Sequence, residues 1–192
     1  MMNRVAMLGL LGMAWVVPAQ AQVGYRDACT NLSYVADAGG DNAAALPLSG
    51  ARPLDVSRGS APFTVILSNL YAVAAHGDGM GGFLVDAPLA LIQSGEPAAS
   101  ESASFSPAGD RIAYVAQDLN LWIGDVVRDG DGRVVDLANI TFVTDLGTLG
   151  SPSDSNGVYA FHGDVDFSPD GSKLAVTSWS DVWVISFAAD GH

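Results

Sequence analysis

The sequence predicts an all-β chain made of antiparallel sheets stacked against one another. Three observations predict it. FSPAGDRIAYV, Phe105 to Val115, returns as FSPDGSKLAVT, Phe167 to Thr177, 62 positions later. Each copy opens on a tight-turn tetrapeptide. Each then runs into short strands whose apolar residues are consecutive, not alternating.

The turn comes first. In Ser168-Pro169-Asp170-Gly171, Pro169 pre-sets φ, Asp170 can bond its own backbone and Gly171 accepts a positive φ. Ser106-Pro107-Ala108-Gly109 is the same turn without the Asp. The first copy predicts four strands: Ala103–Ser106, Arg111–Ala116, Asn120–Val127 and Ile140–Leu146. RDGDGRVVD (128–136) is read as a surface loop before the fourth. The second copy predicts Asp164–Ser168, Lys173–Ser178 and Asp181–Phe187. Trp122 and Trp183 take equivalent places, Phe105 and Phe167 likewise, and the simplest role for both tryptophans is core between sheets.

Ile112-Ala113-Tyr114-Val115 and Val182-Trp183-Val184-Ile185 put bulk on both faces of a strand. Tight turns demand antiparallel hairpins, and no amphipathic helix stands out to cover a face. Other sheets must therefore do the covering. A β-propeller supplies that arrangement, each four-stranded blade lying between its neighbours. The 62-residue spacing exceeds a common blade, and Gly147 to Gly163 is expected to absorb the excess as a loop.

FSPDG, an apolar strand and then a Trp flanked by aliphatic residues resemble the TolB-like (WD40-like, PD40) β-propeller repeat of bacterial envelope proteins. The motif residues are Phe105, Ser106, Pro107, Gly109 and Trp122 in one copy. They are Phe167, Ser168, Pro169, Asp170, Gly171 and Trp183 in the other. Ala108 departs from the motif, which has Asp there. The resemblance implies a propeller that binds a protein partner.

The expected organisation has three parts. Residues 1–21 form a secretory signal: Arg4, an apolar run from Val5 to Val17, Pro18, then Ala19-Gln20-Ala21. Residues 22–100 form a divergent β-rich segment of one or two degenerate blades. Its strands are foreshadowed by CTNLSYVAD, by PFTVILSNLYAVAAH (two strands) and by GGFLVDAPLALI (a third and fourth). Residues 101–192 hold one complete and one incomplete repeat. Ring closure needs more blades than this, so the chain is expected to be the front of a longer protein, or else to close a ring by self-assembly.

Charge and chemistry narrow the function. Losing Arg4 with the signal leaves seven basic residues against 21 acidic ones. Such a surface disfavours nucleic acid and favours a protein partner with a basic surface. No apolar stretch after the signal is long enough to span a membrane, so the expected location is periplasmic or secreted. Cys29 has no second cysteine to pair with in the chain.

No G-x-S-x-G elbow occurs, and His76, His162 and His192 assemble no catalytic set. The expectation is a non-catalytic scaffold without a cofactor. The alternative is the propeller portion of an exported prolyl-oligopeptidase-like or other hydrolase whose catalytic domain lies beyond residue 192. The 129–132 DGDG lacks the later ligands of a calcium loop. Asp164 and Asp166, two apart on an inner strand, point to one side with Val165 and Phe167 opposite. They are the weak candidates for a cation such as Ca²⁺.

Overall fold

The computed structural model describes residues 22–27, 31–37, 42–49, 51–57, 62–80, 82–92, 99–116, 118–149, 163–178 and 181–187. The expected signal, Cys29, Trp179, His162, His192 and most of the expected 147–163 loop lie outside them. The described residues form four antiparallel sheets, and their only helical element is a short 3-10 turn, Leu146–Thr148. No helix among them is long and apolar enough to cross a membrane.

The first sheet is β1 (Gln22–Asp27), β2 (Leu32–Asp37) and β3 (Ala44–Ala45). The second is β4 (Pro53–Val56), β5 (Phe63–Leu67), β6 (Tyr71–Gly77) and β7 (Phe83–Val85), with β8 (Leu89–Ala90) also on β6. The third is β9 (Ala99–Phe105), β10 (Arg111–Ala116), β11 (Asn120–Arg128) and β12 (Val134–Asp145). The fourth is β13 (Val165–Phe167), β14 (Lys173–Ser178) and β15 (Asp181–Ser186).

The repeated phrase therefore makes the same object twice. Gly109 and Gly171 both take φ +71°, the left-handed region glycine enters without a Cβ clash. In each turn the glycine N–H donates to the serine carbonyl at 2.8 Å. The serine side chain is the hub. Ser168 Oγ donates to Asp170 Oδ1 at 2.6 Å and accepts from the Lys173 N–H at 3.0 Å. Ser106 Oγ donates to Asp110 Oδ1 at 2.6 Å and accepts from the Arg111 N–H at 3.0 Å. The Asp missing at position 108 is thus replaced functionally by Asp110, on the other side of the glycine.

The carboxylate in the second turn is held in its charged form. Hydrogen bonds from the Ser168 side chain, and then from the Ser172 backbone and hydroxyl, lower the Asp170 pKa from 3.8 to about 2. The charged, bonded form belongs to the folded state, so its contribution is complete above pH 3.8 and is lost as pH falls through about 2. A carboxyl-detected NMR titration should place the Asp170 midpoint near 2. In Ser168→Ala the midpoint should rise toward its ordinary value, and an unmoved midpoint would dismiss the serine as the cause.

Two sequence expectations are corrected. β12 starts at Val134, so the loop expected over 128–136 shrinks, and Val134-Val135-Asp136 extends the outer strand. Arg128, counted with the loop, belongs to β11. Asp129 Oδ1 gathers the N–H groups of Asp131 and Arg133, both at 2.9 Å, which tightens what loop remains. In the second sheet, the strand that opens it is β4, which the sequence reading missed. The third and fourth strands expected from GGFLVDAPLALI are β7 and β8, but they do not follow one another across the sheet. They pair with successive parts of β6, on the edge away from β5.

The sheets stack with apolar cores between them. On β5, Val65 and Leu67 face the first sheet with Val35 and Leu46, while Ile66 faces the third sheet. On β10, Ile112, Tyr114 and Ala116 pack toward the second sheet with Ile66 and Leu70. Ala113 and Val115 pack the other way, against Val165, Phe167, Leu174 and Val176 of the fourth. Consecutive apolar residues are therefore buried on two opposite faces, as the pattern of these strands requires. Arg111 reaches from β10 over the Phe167 and Phe187 rings, 5.8 and 5.3 Å from their centroids.

Trp122 and Trp183 do not share one environment. Trp122 is half-buried against the second-sheet core and meets Phe142 edge to face at 5.5 Å. Trp183 is 39% exposed, so its expected place in a core is not observed. The reason is local: β12 brings Phe142 to Trp122, and among the described residues no strand lies in that position beside β15.

Candidate functional site

The opening strands of the sheets lie side by side: β1 by β4, β4 by β9 and β9 by β13. Each is the edge strand of its own sheet, so its outward N–H groups lack ladder partners. Polar side chains from the neighbouring sheet supply them. Asp55 on β4 accepts the Phe105 N–H of β9 at 2.7 Å through Oδ2, and its Oδ1 accepts the Val56 N–H at 2.7 Å. Ser102 on β9 accepts the Val165 N–H of β13 at 3.0 Å. Ser104 donates its hydroxyl to Asp166 Oδ1 at 3.0 Å.

These groups line a polar cleft of about 400 Å³ between β4, β9 and β13. Its wall includes Arg52, Asp55, Ser102, Ser104, Asp164 and Asp166. Asp164 and Asp166 are exposed and Val165 and Phe167 buried, so the strand divides its side chains as the alternation predicts. Asp166 is engaged by Ser104, and the Asp164 N–H donates to Thr177 Oγ1 at 2.8 Å. Among the described residues, no group of three or more His, Cys, Asp or Glu side chains is arranged to hold a metal ion. The two carboxylates considered for Ca²⁺ thus lie in a hydrogen-bonded polar wall.

Of the residues singled out in sequence, the turn motifs lie away from this cleft and shape the hairpins. Asp164 and Asp166 fall in it. Asp55, Ser102 and Ser104 were missed. One signal could have found Ser104: it stands 62 residues before Asp166, so the two occupy the same place in consecutive repeats. Asp55 carries no such mark, because no FSPDG turn follows its strand.

The cleft presents carboxylates, hydroxyls and a guanidinium. It can accept hydrogen bonds and attract cationic groups. His76, the one histidine among the described residues, is on β6, away from the cleft-lining residues. Compared with protein-family models and with curated proteins, the chain matches none.

Proposed function

We propose that the chain is a non-catalytic β-propeller scaffold of the TolB-like repeat type, binding a protein partner in the bacterial cell envelope. The observation that carries this reading is the adjacency of β1, β4, β9 and β13. Sheets placed opening strand to opening strand, with apolar cores between them, are what neighbouring propeller blades require. On this reading the first and second sheets are the divergent blades and the third and fourth carry the kept repeat. The cleft is then part of the central channel.

The partner chemistry follows from charge. The chain carries 21 acidic residues against eight basic ones. Such a surface attracts basic protein surfaces over a Debye length and is screened by salt. The apolar N-terminal run with its Ala19-Gln20-Ala21 supports export to the periplasm or beyond.

The test is capture from a periplasmic extract on the immobilised chain, at about 50 and 500 mM NaCl, a range over which the Debye length falls well below 10 Å. Discrete proteins should be retained at low salt and released at high salt. Retention indifferent to salt would remove the acidic surface from the reading, and no retention at either would remove the scaffold.

A further inference from the structure

We infer that Met80 is a reversible oxidation site, a thioether that takes one oxygen atom from a hydroperoxide without disturbing the fold. The inference does not depend on the scaffold reading.

The sequence isolates this sulfur. The chain has five methionines, and Met1, Met2, Met7 and Met13 lie in the expected signal. Met80 stands in DGMGG, 78–82, between Gly79 and Gly81, so neither sequence neighbour brings a side chain beside it. It is 89% exposed, the most of any large hydrophobic side chain among the described residues. A Cβ placed on Gly77 or Gly79 would meet nothing within 4 Å beyond its chain neighbours, so the space there is open.

The loop is held by main-chain groups and one carboxylate. Asp78 Oδ1 accepts the Met80 N–H at 2.7 Å and the Gly82 N–H at 2.9 Å. The Asp78 N–H donates to the Gly82 carbonyl at 3.0 Å. The loop between β11 and β12 is wired in the same way. Asp129 Oδ1 accepts the Asp131 and Arg133 N–H groups, and the Asp129 N–H donates to the Arg133 carbonyl at 3.0 Å. Asp131 there takes the place of Met80. The frame thus accepts a polar, oxygen-bearing side chain at its tip, and none of these bonds passes through that side chain.

This arrangement separates the reactivity of the sulfur from the stability of the fold. Oxidation of a core methionine puts a polar S=O into apolar packing and disrupts it. At Met80 the S=O enters water. The sulfur lone pair takes the hydroxyl oxygen of the hydroperoxide, and the O–O bond breaks. The proton moves to the departing oxygen, which leaves as an alcohol, or as water from hydrogen peroxide. Sulfur is oxidised by two electrons and the peroxide reduced by two. A sulfoxide so exposed is within reach of methionine sulfoxide reductases, which makes the step reversible.

The test is a time course of the folded full chain in hydrogen peroxide, read by peptide mass. N-acetylmethionine amide in the same tube is the fully exposed reference. The Met80 peptide should gain one oxygen at a rate within about threefold of the reference. The oxidised chain should melt with the untreated one. Reductases for both sulfoxide epimers should restore the original mass while the chain stays folded. Met80→Gln, similar in length and polar at its end, should also melt with the wild type, which keeps the stability claim testable if peroxide damages other residues.

A rate more than about threefold below the reference, recovered in urea, would show a covered thioether and overturn the inference. So would early melting of Met80→Gln, which would make the methionine a packing residue. A sulfoxide that the reductases remove only after unfolding would overturn it as well.

Discussion

Ile112→Ala should destabilise the chain by about 3 kcal/mol and Val115→Ala by about 2 kcal/mol, both read as a lower urea midpoint at unchanged slope. The two residues sit on one strand, β10, and point in opposite directions. Ile112 is fully buried toward the second sheet and Val115 almost fully toward the fourth. A sheet with one wet face would make one of these substitutions nearly neutral, since exposed positions change stability by only about 0.5 kcal/mol. Two large losses are expected because both faces are covered. If either variant unfolds with the wild type, one of the two stacking interfaces is wrong.

Asp55→Ala should cost about 2 kcal/mol, because it strips acceptors from the N–H groups of Phe105 and Val56. Phe105 is a buried residue, so water is a poor substitute there. Asp55 uses both carboxylate oxygens, and asparagine offers only one acceptor. Asp55→Asn should therefore recover about half of the loss. Urea unfolding of the three proteins checks the order, and hydrogen exchange at the Phe105 amide checks the cause. An alanine variant as stable as wild type would show that the second and third sheets are held by apolar packing alone.

The hairpins were legible because turn chemistry is local. Pro, Gly and a short polar side chain within four residues fix the chain reversal, and β10 and β14 fall on their expected residues. The stacking was legible from composition, because consecutive apolar residues in a short strand need cover on both sides. β4 was not legible. PLDV pairs through an irregular register and presents no turn signature, and only its ladder with β5 defines it as a strand.

The cleft was legible by half for a similar reason. Asp164 and Asp166 declare themselves by spacing, whereas Asp55 matters through a bond to a residue 50 positions away. The different fates of Trp122 and Trp183 were invisible in sequence, since burial depends on what the adjoining strand brings and not on the strand that carries the residue.

The exchange between Asp110 and Asp170 bears on how repeats of this kind are counted. The serine hydroxyl needs one carboxylate, and the turn accepts it either before the glycine or after it. A pattern that insists on the order Asp-Gly scores the first copy as defective, although its hairpin is wired in the same way. The unit that persists is a serine, a glycine and an acid within reach, a three-part grammar with one movable word. Strings that look eroded by spelling can be intact by bonding, and divergence judged letter by letter overstates how far such repeats have drifted.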